Sequence, residues 1–374
     1  MAVCEKGKRV VQYPPESLNS LYINVTRFCN LGCKHCWLAP PRREELKEED
    51  REMSIKEIIA IVKATQELGL DSIKLTGGEP LLRNDLEDLL RFCLDSDIEV
   101  DVETNGTLVS KKVARMFAKY ELNHISVSLD GFSEEKHDFF RGQKGAFKLT
   151  VKGIENLINE GCHVQVITSL YKENLKGFPY FLRLMRKLNV SDIKINTICS
   201  IGRGEALKNA GLTPTVREIL DFSKKLRKMS ENFPGSVYLD IPIAFKALAE
   251  IKHHGGHVCA IKNILGILSD GSVSICGIGY LDEDLLFGNV RSQPSLLKEI
   301  WLNNPVLNRI REEIPSKLEG VCGICVFRNR CFGNCIAESY YNTRRLTAPY
   351  WFCQKAYVEG FFPSTRLIPE ALRT

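Results

Sequence analysis

No stretch of the chain approaches the ~18 consecutive apolar residues of a membrane-spanning helix, and Met1 to Pro15 has no apolar core like that of a signal peptide. The expectation is a chain that stays in the cytoplasm, away from the bilayer. An excess of one charge is also missing. Lys and Arg number 51 against 46 Asp and Glu, a formal charge of +5, and they are interleaved in mixed runs such as Arg42 to Arg51. Such runs read as solvated surface rather than as a stripe that binds nucleic acid. Internal repeats and low-complexity tracts are absent as well. With 374 residues, 44% hydrophobic and 26% charged, the chain can bury a sizeable core, enough for one large domain and a smaller one.

Cysteine is what the sequence has in quantity. Fourteen cysteines are many for a reducing compartment, where disulfides are rare, so the thiolates are expected to bind metal. Their setting comes from the rhythm of the chain. Six β-rich segments (Leu21 to Thr26, Ser72 to Gly77, Val100 to Gly106, His124 to Gly131, Val164 to Leu170, Asp192 to Ile198) alternate with five of helical periodicity. The helical segments are Ser54 to Leu68, Leu86 to Leu94, Lys111 to Tyr120, Phe147 to Asn159 and Gly177 to Leu188. Alternation of this kind predicts a parallel sheet. Six βα units make an open, partial barrel whose chemistry belongs at the C-terminal ends of its strands. The unusual residues fall at those ends: Cys29, Gly77-Gly78-Glu79-Pro80, Thr104-Asn105-Gly106, Ser128-Leu129-Asp130-Gly131, and Cys199 with Gly202-Arg203-Gly204. From about residue 235 the rhythm stops, and seven of the fourteen cysteines lie between Cys259 and Cys353. The expected division is 1–20 as an N-terminal segment, 21–234 as the core and 235–374 as a Cys-rich domain with its tail.

Cys29-x3-Cys33-x2-Cys36 places three thiolates on one loop after a strand. A closed structural zinc or iron–sulfur site takes four ligands, whereas three on a cubane leave one iron free for another ligand. A zinc knuckle completed by His35 or a distant residue is the alternative. The run Asn24-Val-Thr-Arg-Phe-Cys-Asn-Leu-Gly-Cys-Lys-His-Cys36 resembles the cluster motif of the radical S-adenosylmethionine (SAM) superfamily, whose other motifs follow in order. The resemblance implies that Cys29, Cys33 and Cys36 hold a catalytic [4Fe-4S] cluster whose free iron is chelated by the methionine end of SAM. It implies that the Gly77-Gly78-Glu79-Pro80 loop binds the SAM amino group and that His35 contacts the adenine. Ser128 and Arg141 match positions that hold the ribose and the SAM carboxylate. A guanidinium suits the latter because it forks onto a carboxylate. Asn105 and Asp130 are weaker cofactor candidates, since each could simply close a turn.

Cys259-x11-Gly271-x4-Cys276, then Cys322-x2-Cys325-x5-Cys331-x3-Cys335, then Cys353, matches the seven-cysteine pattern of the SPASM domain. By that resemblance, Cys322, Cys325, Cys331 and Cys353 ligate a distal auxiliary cluster, and Cys259, Cys276 and Cys335 hold one nearer the barrel. The nearer cluster is one ligand short. The eighth cysteine that completes it in some relatives is missing from Ala260 to Gly266, so substrate, water or another side chain must finish it. His253, His254 and His257 are candidates, with a plain surface loop as the alternative. Cys93 reads as a buried small hydrophobe, and Cys199 as a residue that either faces the cavity or packs.

The implied fold is α/β: a partial (β/α)6 TIM-like barrel followed by a small SPASM domain with two auxiliary clusters. The implied activity is reductive cleavage of SAM to a 5′-deoxyadenosyl radical, hydrogen abstraction and net oxidation of the substrate. Peptide maturation by thioether or carbon–carbon cross-linking is the first expectation, with a separate leader-recognition protein as possible partner and a flavodoxin- or ferredoxin-type electron donor. Oxidation or decarboxylation of a cofactor precursor, of tetrapyrrole or peptide-derived quinone type, is the second. A non-catalytic metal scaffold or electron carrier is the third. Sulfatase maturation is disfavoured, because Gly277 stands where such relatives carry an Asp base.

Overall fold

Apolar and polar residues alternate along each early strand, which gives the strand one face for helices and one for a lumen. The computed structural model describes residues 17–40, 52–254 and 259–369. Within it, β1 (Ser20–Thr26), β2 (Ser72–Gly77), β3 (Glu99–Thr104), β4 (His124–Ser128), β5 (Val164–Leu170), β6 (Asp192–Thr197) and β7 (Ser236–Asp240) are joined in that order, each parallel to the next. On the other side of β1 lies β8 (Ile264–Ile267), again parallel. Antiparallel β9 (Ser272–Ser274) and β10 (Leu286–Asn289) extend the sheet beyond it.

Ile73, Leu75, Val100, Val102, Ile193 and Ile195 are buried in the core under the flanking helices. The residues between them in sequence belong to the opposite, polar face. There Lys74 pairs with Glu103 at 3.4 Å and Lys194 with Asp240 at 3.5 Å. The first helix, Ile55–Gln66, starts on a capping box formed by Ser54 and Glu57. The helices Leu86–Asp95, Lys111–Lys119, Ala146–Asn159 and Phe178–Lys187 lie within two residues of their expected bounds.

The α/β partial barrel stands as expected, with some elements beyond those expected. The parallel run has two strands beyond the expected six: β8, beside β1, and β7, which falls beyond the expected boundary at 234. Strand β7 escaped the βα rhythm because Pro242 and a single 3-10 turn, Ile243–Phe245, follow it in place of a long helix. A helix at Glu134–Arg141 was also not expected. Among the described residues, no helix is long and apolar enough to cross a membrane.

Candidate functional site

The C-terminal ends of the strands open onto a cleft of about 1180 Å³. Cys29, Cys33, His35, Cys36, Gly77, Gly78, Asn105, Ser128 and Arg141 all line it, and so does Cys199. Residues from most of the sequence motifs therefore meet in one place. Glu79, Pro80 and Asp130 lie behind this wall, all buried.

Two neighbours fix the cysteine loop. On one side the glycine loop runs along it, with Gly78 N donating to Thr26 O at 2.8 Å and Glu79 N to Phe28 O at 2.6 Å. This approach requires glycine: a Cβ on Gly78 would lie 1.7 Å from Phe28 O, and Gly77 has a φ of +129°. On the other side the end of the helix Glu134–Arg141 supports the loop, with Gly32 N donating to Arg141 O at 3.1 Å and Lys34 N to Phe140 O at 2.9 Å. Leu31 and Ala146 pack with the three cysteines in an apolar cluster. Burial there pushes the Cys29 thiol up to about 12.

Glu79 has a fully engaged carboxylate. One carboxylate oxygen accepts from Thr104 Oγ1 at 2.7 Å and Leu81 N at 3.2 Å, and the other from Asn105 N at 2.7 Å. The carboxylate ties the end of β3 to the glycine loop, and it is Gly77 and Gly78 that reach the cleft. Asn105 closes a turn, accepting from Thr107 N at 2.9 Å, and its amide donates to Asn30 Oδ1 at 2.8 Å within the cysteine loop.

Asp130 likewise acts through a neighbour. Its carboxylate meets the Arg141 guanidinium at 2.5 Å and accepts from Ser169 N at 2.6 Å. Burial opposes ionisation, yet Arg141 beside it holds Asp130 below the usual carboxylate range. Arg141 Nη1 also donates to Cys33 Sγ at 3.6 Å, while its Nε is buried with no hydrogen-bond partner. His35 stacks on Phe140 at 4.5 Å, and Phe140 on Tyr171 at 4.4 Å, a column of three rings. Burial lowers the His35 pKa to about 4, so the ring is neutral. Phe140 and Tyr171 carried no motif, although Phe140 directly precedes Arg141. Trp37, also in the wall, was signalled only by its place after Cys36.

Cys322, Cys325, Cys331 and Cys353 line a separate cavity of about 310 Å³, together with apolar residues such as Ile243, Leu318 and Val321. Cys335 directly precedes the helix Ile336–Thr343. Its thiol, raised chiefly by burial, also feels the charges of Cys199, Cys276 and Cys259. A tetrahedral zinc with bonds of about 2.3 Å would draw its sulfurs to about 3.8 Å of one another. Among the described residues, the only Cys, His, Asp or Glu trio with ligand atoms within 4.8 Å of one another is His124, His163 and Asp192, near the opposite ends of their strands. The cysteine sets are spread more widely than zinc requires. Cys93 is buried in the core. His257 lies outside the described residues, as do the side chains of His253 and His254.

Comparison with known proteins agrees with this geometry. The pattern of the radical SAM superfamily matches residues 23–185, and that of the SPASM iron–sulfur cluster-binding domain matches 259–339. An AdoMet-dependent heme synthase of Methanosarcina barkeri is 31% identical over 339 residues, 84% of this chain and 90% of that protein. The mycofactocin maturase MftC of Mycolicibacterium smegmatis is 25% identical over 353 residues, 92% of this chain and 85% of that protein. Among solved structures, Streptococcus suis SuiB bound to S-adenosylmethionine superposes with a TM-score of 0.71 at 17% identity, covering 91% of this chain and 78% of that one. Native anSMEcpe with bound AdoMet gives 0.71 at 18%, covering 91% and 95%.

Proposed function

Because the chain belongs to the radical SAM superfamily and carries its SPASM domain, we propose that it oxidises a carboxylate-bearing cofactor precursor of tetrapyrrole type. The observation that carries the substrate class is the 31% identity to a heme synthase across nearly the whole of both chains. SAM and [4Fe-4S] clusters are typical of the family, and the residues of the cleft fit them. Three thiols share one loop, the Arg141 Nε and His35 Nδ1 are buried without hydrogen-bond partners, and a Cβ on Gly78 would collide with the cysteine loop.

In this reading Cys29, Cys33 and Cys36 hold the catalytic cluster, Gly77 and Gly78 let the glycine loop lie against the cysteine loop and form part of the SAM wall, and Arg141, braced by Asp130, takes its carboxylate. When bound, the cluster and SAM supply a 5′-deoxyadenosyl radical that removes a hydrogen atom from an unactivated carbon. The protein's task is to orient that C–H bond and keep water away. The Phe140–Tyr171 stack supports the His35 ring from behind. A propionate converted to vinyl gives up one hydrogen atom, carbon dioxide and one electron. Cys259, Cys276 and Cys335, with the distal four, are the residues that would hold acceptor clusters. A flavodoxin- or ferredoxin-type protein is the expected donor for SAM cleavage.

Peptide maturation is the second reading, favoured by the 25% identity to mycofactocin maturase over 92% of the chain. To distinguish them, the anaerobically reconstituted protein is given SAM, dithionite and iron-coproporphyrin III. Loss of carbon dioxide and two hydrogens from the porphyrin, with 5′-deoxyadenosine formed in wild type and absent in Cys29→Ala, is the expected result. 5′-Deoxyadenosine without any change in the porphyrin would overturn the tetrapyrrole reading and leave the peptide one.

A further inference from the structure

The seven-cysteine pattern leaves the nearer auxiliary cluster with three protein ligands. The segment 199–204, which the proposed chemistry has not used, runs between this site and the catalytic loop. At its catalytic end, Arg203 N donates to Cys36 O at 3.2 Å and the Arg203 guanidinium to Cys33 O at 3.3 Å. The bend between them is a glycine elbow: Gly202 has φ +57° and ψ −134°, and a Cβ on Gly204 would lie 2.2 Å from Cys199 O. At its other end, Ser200 N donates to Glu338 Oε1 at 3.2 Å. Glu338 sits in the first turn of the helix that Cys335 directly precedes. The Cys199–Ser200 step is thereby pinned to the start of the Cys335 helix.

The side chain of Cys199 follows from that placement. It shares the cleft wall with Ile278, two residues after Cys276. Trp37, in the same wall, packs against Gly277, the residue directly after Cys276, so Cys199 and the Cys276 turn border one space. No three of the Cys199, Cys259, Cys276 and Cys335 sulfurs lie within 4.8 Å of one another, so they are not drawn together as the thiolates of a single zinc ion are.

We propose that Cys199 is the fourth thiolate of the auxiliary cluster held by Cys259, Cys276 and Cys335, so that the barrel itself closes this cluster and substrate does not ligate it. The inference rests on the reading that the chain holds that cluster. Glu338 is the rival ligand: it is fully buried, and its second carboxylate oxygen has no hydrogen-bond partner.

The test uses the full chain with Cys29, Cys33 and Cys36 replaced by alanine, reconstituted anaerobically with ⁵⁷Fe. Iron count, Mössbauer spectra, EPR midpoint potentials and hyperfine coupling to added ¹³C-cyanide are the readouts. The parent should hold about eight irons in two clusters of four and show no cyanide coupling. Cys199→Ala should gain that coupling or lose about four irons. Cys199→Ser should keep the iron with a shifted midpoint, and Glu338→Gln should match the parent. Cyanide coupling already present in the parent, an unchanged Cys199→Ala spectrum, or a site opened by Glu338→Gln instead would overturn the assignment. A parent with only about four irons would overturn the cluster reading itself, and the assignment with it.

Discussion

Arg141 is a cation removed from water, and three neighbours decide its behaviour: Asp130, the Cys33 sulfur and the space beside its unpaired Nε. A lysine keeps the charge but cannot fork onto a carboxylate while still pairing with Asp130. Arg141→Lys is therefore expected to fold and to bind SAM at least about tenfold more weakly, about 1.4 kcal/mol, by anaerobic calorimetry on the reconstituted enzyme. Arg141→Met leaves the Asp130 carboxylate buried and alone, which should cost about 3–5 kcal/mol in denaturant unfolding. His137 makes a different prediction. Its Nδ1 accepts from Asp130 N, and burial lowers its pKa to about 4. An unfolded chain takes up that proton near its ordinary value of ~6.5, so the stability is complete above that pH and is lost as pH falls toward 4. Unfolding at pH 7 and pH 5 should differ by about 2 kcal/mol from this residue, and His137→Gln should remove that share of the difference while His35, lowered in the same way, keeps its own. Spacing pointed to Arg141 and Asp130, but it could not assign their contacts. The partners of Glu79 are not legible in the sequence either, because Thr104 and Asn105 reach it only once β2 and β3 are side by side.

The legibility of an element followed from how much apolar surface it buries in a regular period. Strand β2 keeps its expected bounds because it alternates over six residues, and β5 because Val164, Val166, Thr168 and Leu170 form one buried face. The helix Glu134–Arg141 stayed hidden because its buried positions are His137, Phe140 and Arg141, two of them polar. Strands β8, β9 and β10, with four, three and four residues, are too short for alternation to register. The glycine loop was legible as a motif, and the structure supplies its physical reason, the absence of room for a Cβ against the cysteine loop. Gly78→Ala must therefore push Phe28 and Cys29 away from β2. The expected result is loss of the catalytic cluster, about four irons per chain, and of 5′-deoxyadenosine formation. The auxiliary EPR signals should survive, since their cysteines belong to other elements. Retention of full iron and activity would mean that the loop does not set the position of Cys29.

At the scale of the molecule, one sheet runs from β7 to β10, with Cys29 following β1 and Cys276 following β9, while Cys322, Cys331 and Cys353 belong to helices beyond the sheet. The number and grouping of cysteines were readable from spacing alone. The approach of Cys199 to Cys335 was not, because it depends on how the end of β6 meets a helix far along the chain. The cavity lined by Cys322, Cys325, Cys331 and Cys353 shares no lining residue with the SAM-side cleft. Damage to the distal set should then leave SAM binding and cleavage geometry intact while removing an acceptor that net oxidation requires. Cys353→Ala is expected to lose about four irons, to retain 5′-deoxyadenosine formation within a few-fold of wild type, and to stop conversion of the substrate. Cys353→Ser provides the check against misfolding, since a hydroxyl of similar size fills the same place between Cys322 and the core. If both variants lose 5′-deoxyadenosine while keeping the catalytic cluster's EPR signal, the distal site must act on SAM cleavage itself, and the division of labour between the two cavities would be wrong.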